Sequence, residues 1–314
     1  FRSVNALGYF LNLDFKRQLA KCLGHSFDLV IAGFPYQAWM IYTVMRKHKV
    51  PLVYDAHNVE ADRFRKMRRP LVGFLVKMAE RRICAIADRI LTVSQNDRQL
   101  MQQIHGADSL VLANGVDTSY MSPGRADSEA LQRSGLEPGQ YVLFFGSYDY
   151  PPNIEAAHFL IEKVWPEVMQ SLPDAKLALV GRSPQPWMAG HAGVLVTGAV
   201  DSIAEVVKGA RIVVAPLFSG GGTRLKIVEA LACGKTVLAT PFGAMGIVSE
   251  GSAALLLAEP QCFTKELIGV MQQPMQDICG NIEARKLAMA FDWQQLAREI
   301  EPQLSKLLPE QGSD

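Results

Sequence analysis

Short apolar runs alternate with amphipathic, helix-like stretches along most of this 314-residue chain. Strands that alternate with helices form parallel sheets, because a crossover helix must return the chain to the edge where the next strand begins. The pattern therefore predicts an α/β protein. The apolar runs form two sets, at 27–34, 51–56, 89–94 and 109–114, and at 140–146, 175–181, 194–197, 211–216 and 235–240. Helices are predicted near 36–48, 70–87, 95–104, 153–170, 202–209, 223–233 and 293–308.

The alternation stops from about 117 to 140, where two Pro-Gly pairs typical of turns occur. We interpret this stretch as a linker between two Rossmann-like lobes. The first lobe is predicted over 1–120 and the second over 121–290, and a final helix over 291–314 is expected to pack back toward the first lobe. Two such lobes would present parallel sheets across a cleft. The ligand is expected in that cleft, because ligands of this architecture bind at the carboxyl ends of the strands.

The first lobe begins with polar, helix-like sequence, whereas a doubly wound lobe is expected to open with a strand and a glycine-rich turn. Only about four strands are predicted in it. We therefore expect the N-terminal lobe to be incomplete, either because a portion is absent from the chain or because the lobe is naturally small.

Composition excludes several classes of protein. Hydrophobic residues make up 49% and charged residues 20%, which argues against disorder. No apolar run reaches the roughly 18 residues of a spanning helix. The five cysteines are scattered without a C-x-x-C pair, so a disulfide framework and a zinc ribbon are not predicted. We expect a reducing, cytoplasmic location.

The net charge of +1 hides an uneven distribution. Residues 1–117 carry 17 basic and 10 acidic side chains, and the excess is concentrated in 61–89, where nine cations face three carboxylates. One interpretation is a solvated helical face. The other is an interfacial segment, because apolar residues alternate with the cations, and such a segment would attract an anionic membrane surface. Nucleic-acid binding is not predicted, since no groove-reading or stacking motif accompanies the charge.

The segment from Ser219 to Gly234, SGGGTRLKIVEALACG, connects a predicted strand to a predicted helix. Its glycines let a ligand approach the backbone, and the helix behind them offers free amides and the positive end of its dipole. Arg224 and Lys226 add positive charge, so the segment predicts a diphosphate site that needs no metal. Glu229 can accept hydrogen bonds from two ribose hydroxyls. The alternative is a flexible loop and a Lys226–Glu229 surface pair.

This segment, with Asn114–Asp117 (NGVD) and Gly146-Ser147, resembles glycosyltransferase family 4 from about Val53 to Trp293. The resemblance implies the GT-B fold of two Rossmann-like lobes and retaining transfer from a nucleotide-sugar without an essential metal. It implies that Glu229, as the second glutamate of the family's E-x7-E signature, holds the donor ribose. Gly221 stands where the first glutamate would be, so the chain resembles a subgroup with GGGTRLKIVEALACG in this place.

The loop at 147–153 has none of the cations that the family often places there. The resemblance therefore gives Arg224 and Lys226 the catalytic task of stabilising the departing diphosphate. The other donor-binding residues expected from the segment and the resemblance are Gly220, Gly221, Gly222, Thr223, Gly146, Ser147, Gly181, Arg182 and Gly243.

Tyr54–Glu60 (YDAHNVE) follows a predicted strand of the first lobe and resembles the family's Asp/His loop. The resemblance implies that His57 is catalytic and approaches the donor sugar, with Asp55 and Asn58 at the acceptor side of the cleft. A metal site is not predicted, because no cluster of further ligands is near in sequence. The alternative for Asp55 and Asn58 is that they cap the next helix.

We therefore expect a retaining hexosyltransferase that takes a UDP- or GDP-sugar and acts on a glycan or lipid-linked acceptor, in cell-surface polysaccharide synthesis. No cofactor is expected. The location implied is the cytoplasm, including the inner membrane face. Two alternatives stay open, a nucleotide-sugar 2-epimerase of the same fold and a non-catalytic nucleotide-binding fragment.

Overall fold

The computed structural model describes residues 12–25, 27–67, 69–220, 224–247, 252–274 and 281–308. The chain divides into two compact units. Unit 1 comprises 1–114 and 296–314, and unit 2 comprises 115–295.

Unit 1 contains one four-stranded sheet of parallel strands in the order β1-β2-β3-β4. Its helices pack on a core of buried residues that includes Tyr54, Val76 and Ile83. The strands are β1 (Val30–Ala32), β2 (Leu52–Ala56), β3 (Arg89–Thr92) and β4 (Leu110–Val111), and the helices are α1 (Leu13–Cys22), α2 (Ala38–Met45), α3 (Glu60–Lys66), α4 (Pro70–Ile86) and α5 (Gln95–His105).

Unit 2 contains a six-stranded parallel sheet in the order β10-β9-β8-β5-β6-β7. The strands are β5 (Tyr141–Phe145), β6 (Lys176–Val180), β7 (Val194–Gly198), β8 (Ile212–Ala215), β9 (Val237–Ala239) and β10 (Leu255–Leu257). The helices are α6 (Ser128–Arg133), α7 (Pro151–Phe159), α8 (Trp165–Ser171), α9 (Ile203–Gly209), α10 (Leu225–Ala232), α11 (Phe263–Gln272) and α12 (Ile282–Met289). A final helix, α13 (Trp293–Ser305), spans the boundary between the units.

The strand order of unit 2 reverses between β5 and β8, since the chain moves outward from β5 to β7 and then returns to β8. Loops that leave the carboxyl ends of the two central strands diverge at such a point and leave a crevice for a ligand. Two clusters of buried apolar side chains pack around the strands. The point of reversal is therefore where a ligand of unit 2 is expected.

The α/β prediction is confirmed, and the structure refines several boundaries. The helix predicted over 153–170 is interrupted by a π-helical turn at Leu160–Val164. The predicted linker contains α6, which begins at the N-cap Asp127. The pattern also missed α3, because that helix is mostly charged. In the part of the chain that the structure describes, no helix has the length and apolar character that a membrane crossing needs.

Candidate functional site

The glycine-rich turn of unit 2 lies between β8 and α10, at the point where the strand order reverses. Gly221, Gly222 and Thr223 fall outside the described residues, so their predicted contacts stay predictions. Gly220 is described and has a φ of +108°, a conformation that favours glycine. A Cβ atom there would lie 2.8 Å from the hydroxyl of Tyr150. Gly220 therefore lies directly against the loop that follows β5.

Lys226, in the first turn of α10, is partly buried and contacts residues of β5 and α7. Its Nζ donates a hydrogen bond of 2.6 Å to Oδ1 of Asn153. The same nitrogen lies 4.2 Å from the centroid of the Phe144 ring. Burial lowers the pKa of the Lys226 ammonium to about 7, against a raising effect of Glu229 and a further lowering by Arg224. The ammonium of Lys226 therefore contacts Asn153 and Phe144, and Glu229 acts on it through its charge.

Arg224 occupies the N-cap position of α10, and only 7% of its surface is exposed. Its Nη2 donates to the carbonyl of Gly220 at 3.3 Å, and its guanidinium lies 4.8 Å from the centroid of the Phe242 ring. A planar guanidinium stacks on an aromatic ring and still directs its N–H groups sideways. The structure thus places two cations, Arg224 and Lys226, at the start of α10.

Glu229 lies one turn further along α10. Burial raises the pKa of its carboxyl group, and the positive charge of Lys226 partly opposes this shift. An ionised carboxylate accepts hydrogen bonds and donates none. Glu229, half-buried and near a cation, is therefore suited to accept hydrogen bonds from neutral hydroxyl groups.

Gly146 and Gly181 lie side by side at the carboxyl ends of β5 and β6. Their φ angles are +152° and +147°, and a Cβ atom on Gly181 would stand 1.8 Å from the carbonyl oxygen of Gly146. No side chain fits such a gap, so this pair needs glycine for the packing of its own backbone. A Cβ on Gly146 would also lie 2.7 Å from Nδ2 of Asn153.

The other residues predicted for the donor site have mainly backbone roles. The hydroxyl of Ser147 donates to Asp149 at 2.6 Å, and the carbonyl of Arg182 accepts from the Tyr148 amide at 2.9 Å while its side chain is exposed. Gly243 follows β9, and a Cβ atom there would lie 2.5 Å from the carbonyl of Ala215 at the end of β8. These loops are therefore tied to one another at the carboxyl edge of the sheet.

In unit 1, His57 follows the carboxyl end of β2, and 48% of its side chain is exposed. Its Nε2 lies 3.7 Å from Oδ2 of Asp55. The ring also lies beside Phe34, with 6.0 Å between the centroids, and Asn58 is half-buried. The structure brings these predicted residues together in one accessible loop.

Asp55 and Asn58 do not cap the next helix, so the capping alternative is wrong. Val59 takes the N-cap position of α3. The amide N–H groups of Glu60 and Ala61 donate instead to the carboxylate of Glu80 on α4, at 2.8 and 2.9 Å. A carboxylate from a neighbouring helix thus replaces the local cap, which no short-range pattern in the sequence indicates.

Glu80 is fully buried and has two further partners. The hydroxyl of Tyr54 donates to it at 3.0 Å, and Nε2 of His105 lies 2.9 Å from its second oxygen. Buried carboxylates are tolerated when hydrogen bonds satisfy them in this way. His105 therefore supports the fold of unit 1.

Two residues of the site were missed at the level of sequence. Asn153 and Phe144 contact Lys226, but Phe144 belongs to a predicted strand and Asn153 to a predicted helix. The one available indication was the position of Asn153 directly behind Pro151-Pro152, at the start of a helix that faces the crevice. Among the described residues, no group of three or more His, Cys, Asp or Glu side chains is placed to hold a metal ion.

Two family matches cover most of the chain. The family described as Glycosyltransferase Family 4 matches residues 3–120, and the family described as Glycosyl transferases group 1 matches residues 139–273. The first match covers most of unit 1, and the second contains the glycine-rich turn and α10.

Curated relatives are similar at the level of sequence. A phosphatidyl-myo-inositol mannosyltransferase of Mycobacterium tuberculosis is 28% identical over 247 residues, which are 73% of this chain and 61% of the relative. A D-inositol 3-phosphate glycosyltransferase of Rhodococcus erythropolis is 26% identical over 234 residues, 66% of this chain and 51% of the relative. The chain spans about three-fifths of the length of the mannosyltransferase and about half that of the second relative.

Solved structures share the fold at lower identity. The Anabaena protein HepE, in complex with UDP and glucose, has a TM-score of 0.75 at 20% identity, over 96% of this chain and 83% of that one. Sucrose-phosphate synthase of Thermosynechococcus elongatus has a TM-score of 0.72 at 16% identity, over 94% of this chain and 77% of that one.

Proposed function

The chain belongs to glycosyltransferase family 4 and has the GT-B fold, and we propose that it transfers a hexosyl group from a nucleotide-diphospho-sugar with retention at the anomeric carbon. The acceptor we propose is a glycan or a lipid-linked sugar. The observation that carries the proposal is the pair of shielded cations, Arg224 and Lys226, beside the glycine-rich turn of unit 2.

Cations removed from water are unfavourable unless an anion or strong hydrogen bonds compensate them. Lys226 has a neutral amide as its hydrogen-bond partner, and burial lowers the pKa of its ammonium to about 7. A diphosphate bound here would supply the missing negative charge. The same positive charge would stabilise the diphosphate as it leaves the sugar, and such preorganised electrostatics often contributes more to catalysis than any other effect.

The remaining groups fit a nucleotide-sugar. Glu229 accepts hydrogen bonds from the ribose hydroxyls in this proposal, and the amides of the glycine-rich turn contact the phosphates, with no metal required. We assign to His57 a hydrogen bond to the donor sugar, because it is an accessible donor at the carboxyl end of β2. Asp55 and Asn58 are proposed to face the acceptor.

A metal-free thermal shift experiment tests the nucleotide site. Wild type and Glu229→Ala are heated with UDP, GDP or ADP in the presence of EDTA. A ligand that binds only the native state raises the melting temperature. At a ligand concentration of about 100 times Kd, the free energy of unfolding increases by ~2.7 kcal/mol. We expect one nucleotide to stabilise wild type and to have a much smaller effect on the variant. Stabilisation by none of the three would contradict the proposal and favour a fragment without nucleotide binding.

The same preparation separates transfer from epimerisation. A 2-epimerase converts its nucleotide sugar when no acceptor is present, whereas a transferase releases nucleoside diphosphate in step with product formed on an acceptor. We expect release of nucleoside diphosphate that depends on the acceptor. Chromatography of the nucleotide measures this release. Rapid conversion of the nucleotide sugar alone would exclude transfer as the main reaction.

A second proposal concerns the basic surface of unit 1, and it places the protein at the cytoplasmic face of an anionic membrane. On α4, Leu71 and Phe74 are 83% and 62% exposed, although large apolar side chains normally avoid water. They lie beside Arg69 and Lys77, and Phe74 and both cations line a cavity of about 340 Å³. Exposed apolar side chains mixed with cations match the two attractions that hold a peripheral protein on anionic lipid.

Vesicle co-sedimentation tests this surface. The protein is expected to bind vesicles that contain phosphatidylglycerol and not vesicles of phosphatidylcholine alone. The double variant Leu71→Ser/Phe74→Ser should lose most of this binding. Ile282→Ser in unit 2, which removes a residue that is 73% exposed, is the matched control and should bind as wild type does. Equal binding of both lipids, or an equal loss in the control, would contradict the proposal.

A further inference from the structure

Asn153 has an unusual position for a helical asparagine. It lies in the first turn of α7, behind two prolines, and it is buried. Asparagine is a weak helix former because its amide competes with backbone hydrogen bonds. Its presence in a buried first turn therefore calls for a specific use of the side chain.

Both ends of the Asn153 amide are engaged. Nδ2 donates to the carbonyl of Ser147 at 2.8 Å, and Oδ1 accepts from Nζ of Lys226 at 2.6 Å. The first bond fixes the orientation of the amide, because only the NH₂ end can donate to a carbonyl. The oxygen must therefore face Lys226. The backbone of the loop after β5 is connected in this way to the cation on α10.

Gly146 makes room for this arrangement. A Cβ atom at Gly146 would lie 2.7 Å from Nδ2 of Asn153, closer than side chains pack. The absence of a side chain at position 146 thus lets the amide reach the Ser147 carbonyl. The glycine serves the placement of Asn153 in addition to the turn itself.

The chemistry of the partner matters for a binding site. A lysine side chain has several rotatable bonds, so a fixed ammonium needs an acceptor to hold it. An aspartate in this place would hold the nitrogen but would also neutralise it. An asparagine oxygen holds it and leaves the charge, and the Phe144 ring at 4.2 Å supports a cation without neutralising it. Two N–H groups of the ammonium then remain for other acceptors.

We infer that Asn153 is a positioning residue of the diphosphate site, whose amide oxygen holds the Lys226 ammonium in place and preserves its positive charge for the phosphate oxygens of the nucleotide. This inference rests on the proposed function. The inference gives a specific role to Asn153 in the segment 147–153. The family often has cations in this segment, and this chain has none there.

Two charged groups of α10 act on the ammonium of Lys226. Glu229 on α10 favours the protonated amine, and Arg224 at the start of α10 opposes it. The groups that contact the ammonium from β5 and α7 are Phe144 and Asn153, and neither is charged. A carboxylate at position 153 is therefore expected to change the titration of Lys226 directly.

The test compares Kd values for a nucleoside diphosphate and for the matching nucleoside, with EDTA present, by calorimetry. Asn153→Ala is expected to weaken diphosphate binding ~10-fold, because one charge-assisted hydrogen bond is lost. The affinity for the nucleoside should stay unchanged. In a Lys226→Met background the same substitution should cause no further loss, because the two residues act through one ammonium. Glu155→Ala, which removes another hydrogen bond of α7, accepted from the Ser219 hydroxyl at 2.8 Å, is the control and should bind as wild type does.

A purely structural role for Asn153 would weaken nucleoside and diphosphate equally, or would add to the loss in Lys226→Met, and either result overturns the inference. An equal loss of diphosphate affinity in Glu155→Ala also overturns the inference. Any hydrogen bond from α7 to the residues around the start of α10 would then be enough to maintain binding. If wild type binds no diphosphate, the proposed function fails and the inference fails with it. If wild type binds, Lys226→Met weakens binding and Asn153→Ala does not, the inference alone is overturned.

Asn153→Asp keeps the shape of the side chain and provides a second readout if Asn153→Ala does not fold. The new carboxylate should keep Lys226 protonated to higher pH, so the alkaline decline of diphosphate binding should move upward in this variant. At neutral pH its diphosphate affinity should be below that of wild type, because the added negative charge repels phosphate. An unchanged pH profile would overturn the inference.

Discussion

The two units place charged groups near the carboxyl ends of their strands in opposite ways. In unit 2, Arg224 is buried and Lys226 is partly buried, and the two groups that contact the Lys226 ammonium, Asn153 and Phe144, are neutral. In unit 1, the exposed loop after β2 carries His57, whereas the buried carboxyl group of Glu80 has four hydrogen-bond partners.

This difference separates charge that can bind a ligand from charge that supports the fold. A buried carboxylate with all its acceptor positions engaged has little left for a substrate. A buried ammonium held by an amide retains N–H groups and a net charge, and it is stabilised when an anion arrives. Burial alone therefore does not identify a functional residue, and the nature of its partners does.

The largest effect on stability is expected for Glu80→Ala. This substitution leaves the Tyr54 hydroxyl, two amide groups at the start of α3 and the His105 ring without their acceptor. Loss of such a group typically costs ~3–5 kcal/mol. Glu80→Gln, which keeps one acceptor oxygen, should lose less. Urea unfolding measures both, and a loss below about 1 kcal/mol for Glu80→Ala would show that the network is not essential.

Gly181→Ala is expected to destabilise unit 2 by ~2–4 kcal/mol, because its Cβ would overlap the carbonyl oxygen of Gly146 and its φ is positive. Gly190→Ala is the matched control, since Gly190 also has a positive φ of +85° but has no atom within 4 Å of the added carbon. It should lose only ~1 kcal/mol. Equal losses by chemical denaturation would mean that backbone strain, and not the overlap, decides the effect.

Lys226→Met is expected to stabilise the ligand-free protein. The pKa of Lys226 is about 7 in the folded state, against 10.5 for a lysine side chain in water, so the unfolded chain binds more protons between these values. Stability of wild type should therefore rise with pH over about 7 to 10.5, and the penalty for the buried charge is complete below pH 7. The two pKa values put the full penalty at about 5 kcal/mol, and the variant also loses the hydrogen bond to Asn153, so we expect a net gain of ~1–3 kcal/mol.

Urea denaturation at pH 6, 8 and 10 measures this difference. The advantage of Lys226→Met over wild type should be largest at pH 6 and should shrink as pH rises. A variant that is less stable than wild type at pH 6 would mean that Lys226 supports the fold, and the comparison between the units would then lose its basis.

The smallest effect on stability is expected for His57→Ala, within ~0.5 kcal/mol of wild type, because the side chain is half exposed and its approach to Asp55 is loose at 3.7 Å. The same variant should lose much of its transferase activity if the proposed contact with the donor sugar is made. Melting temperature and activity are measured on one preparation. A marked loss of stability would place His57 with Glu80 among the structural residues.

The sequence predicted the parts of the fold that depend on local pattern. Strand–helix alternation gave both parallel sheets, and the glycine-rich segment before α10 marked Arg224, Lys226 and Glu229. The sequence analysis also predicted Gly146 and Gly181 as site residues. Their packing against each other depends on the pairing of β5 with β6, which periodicity does not reveal.

The parts that were missed depend on contacts between distant residues. Asn153 meets Lys226 across 73 positions of sequence, and Glu80 caps a helix that begins 20 residues earlier. Short charged helices such as α3 and α6 also escaped notice, because they show little hydrophobic periodicity. Such features follow from the tertiary arrangement, where a side chain from one element completes the hydrogen bonds of another.

The most direct test of the central claim is calorimetric titration of wild type and Lys226→Met with a nucleoside diphosphate and its nucleoside, in EDTA at pH 6.5. Wild type is predicted to bind the diphosphate at least ~10-fold more tightly than the nucleoside, because buried cations compensate the phosphate charge. Lys226→Met is predicted to lose most of that preference while keeping its affinity for the nucleoside. A wild-type protein that binds both equally, or a variant that keeps the preference, would contradict the assignment of Lys226 to a diphosphate site.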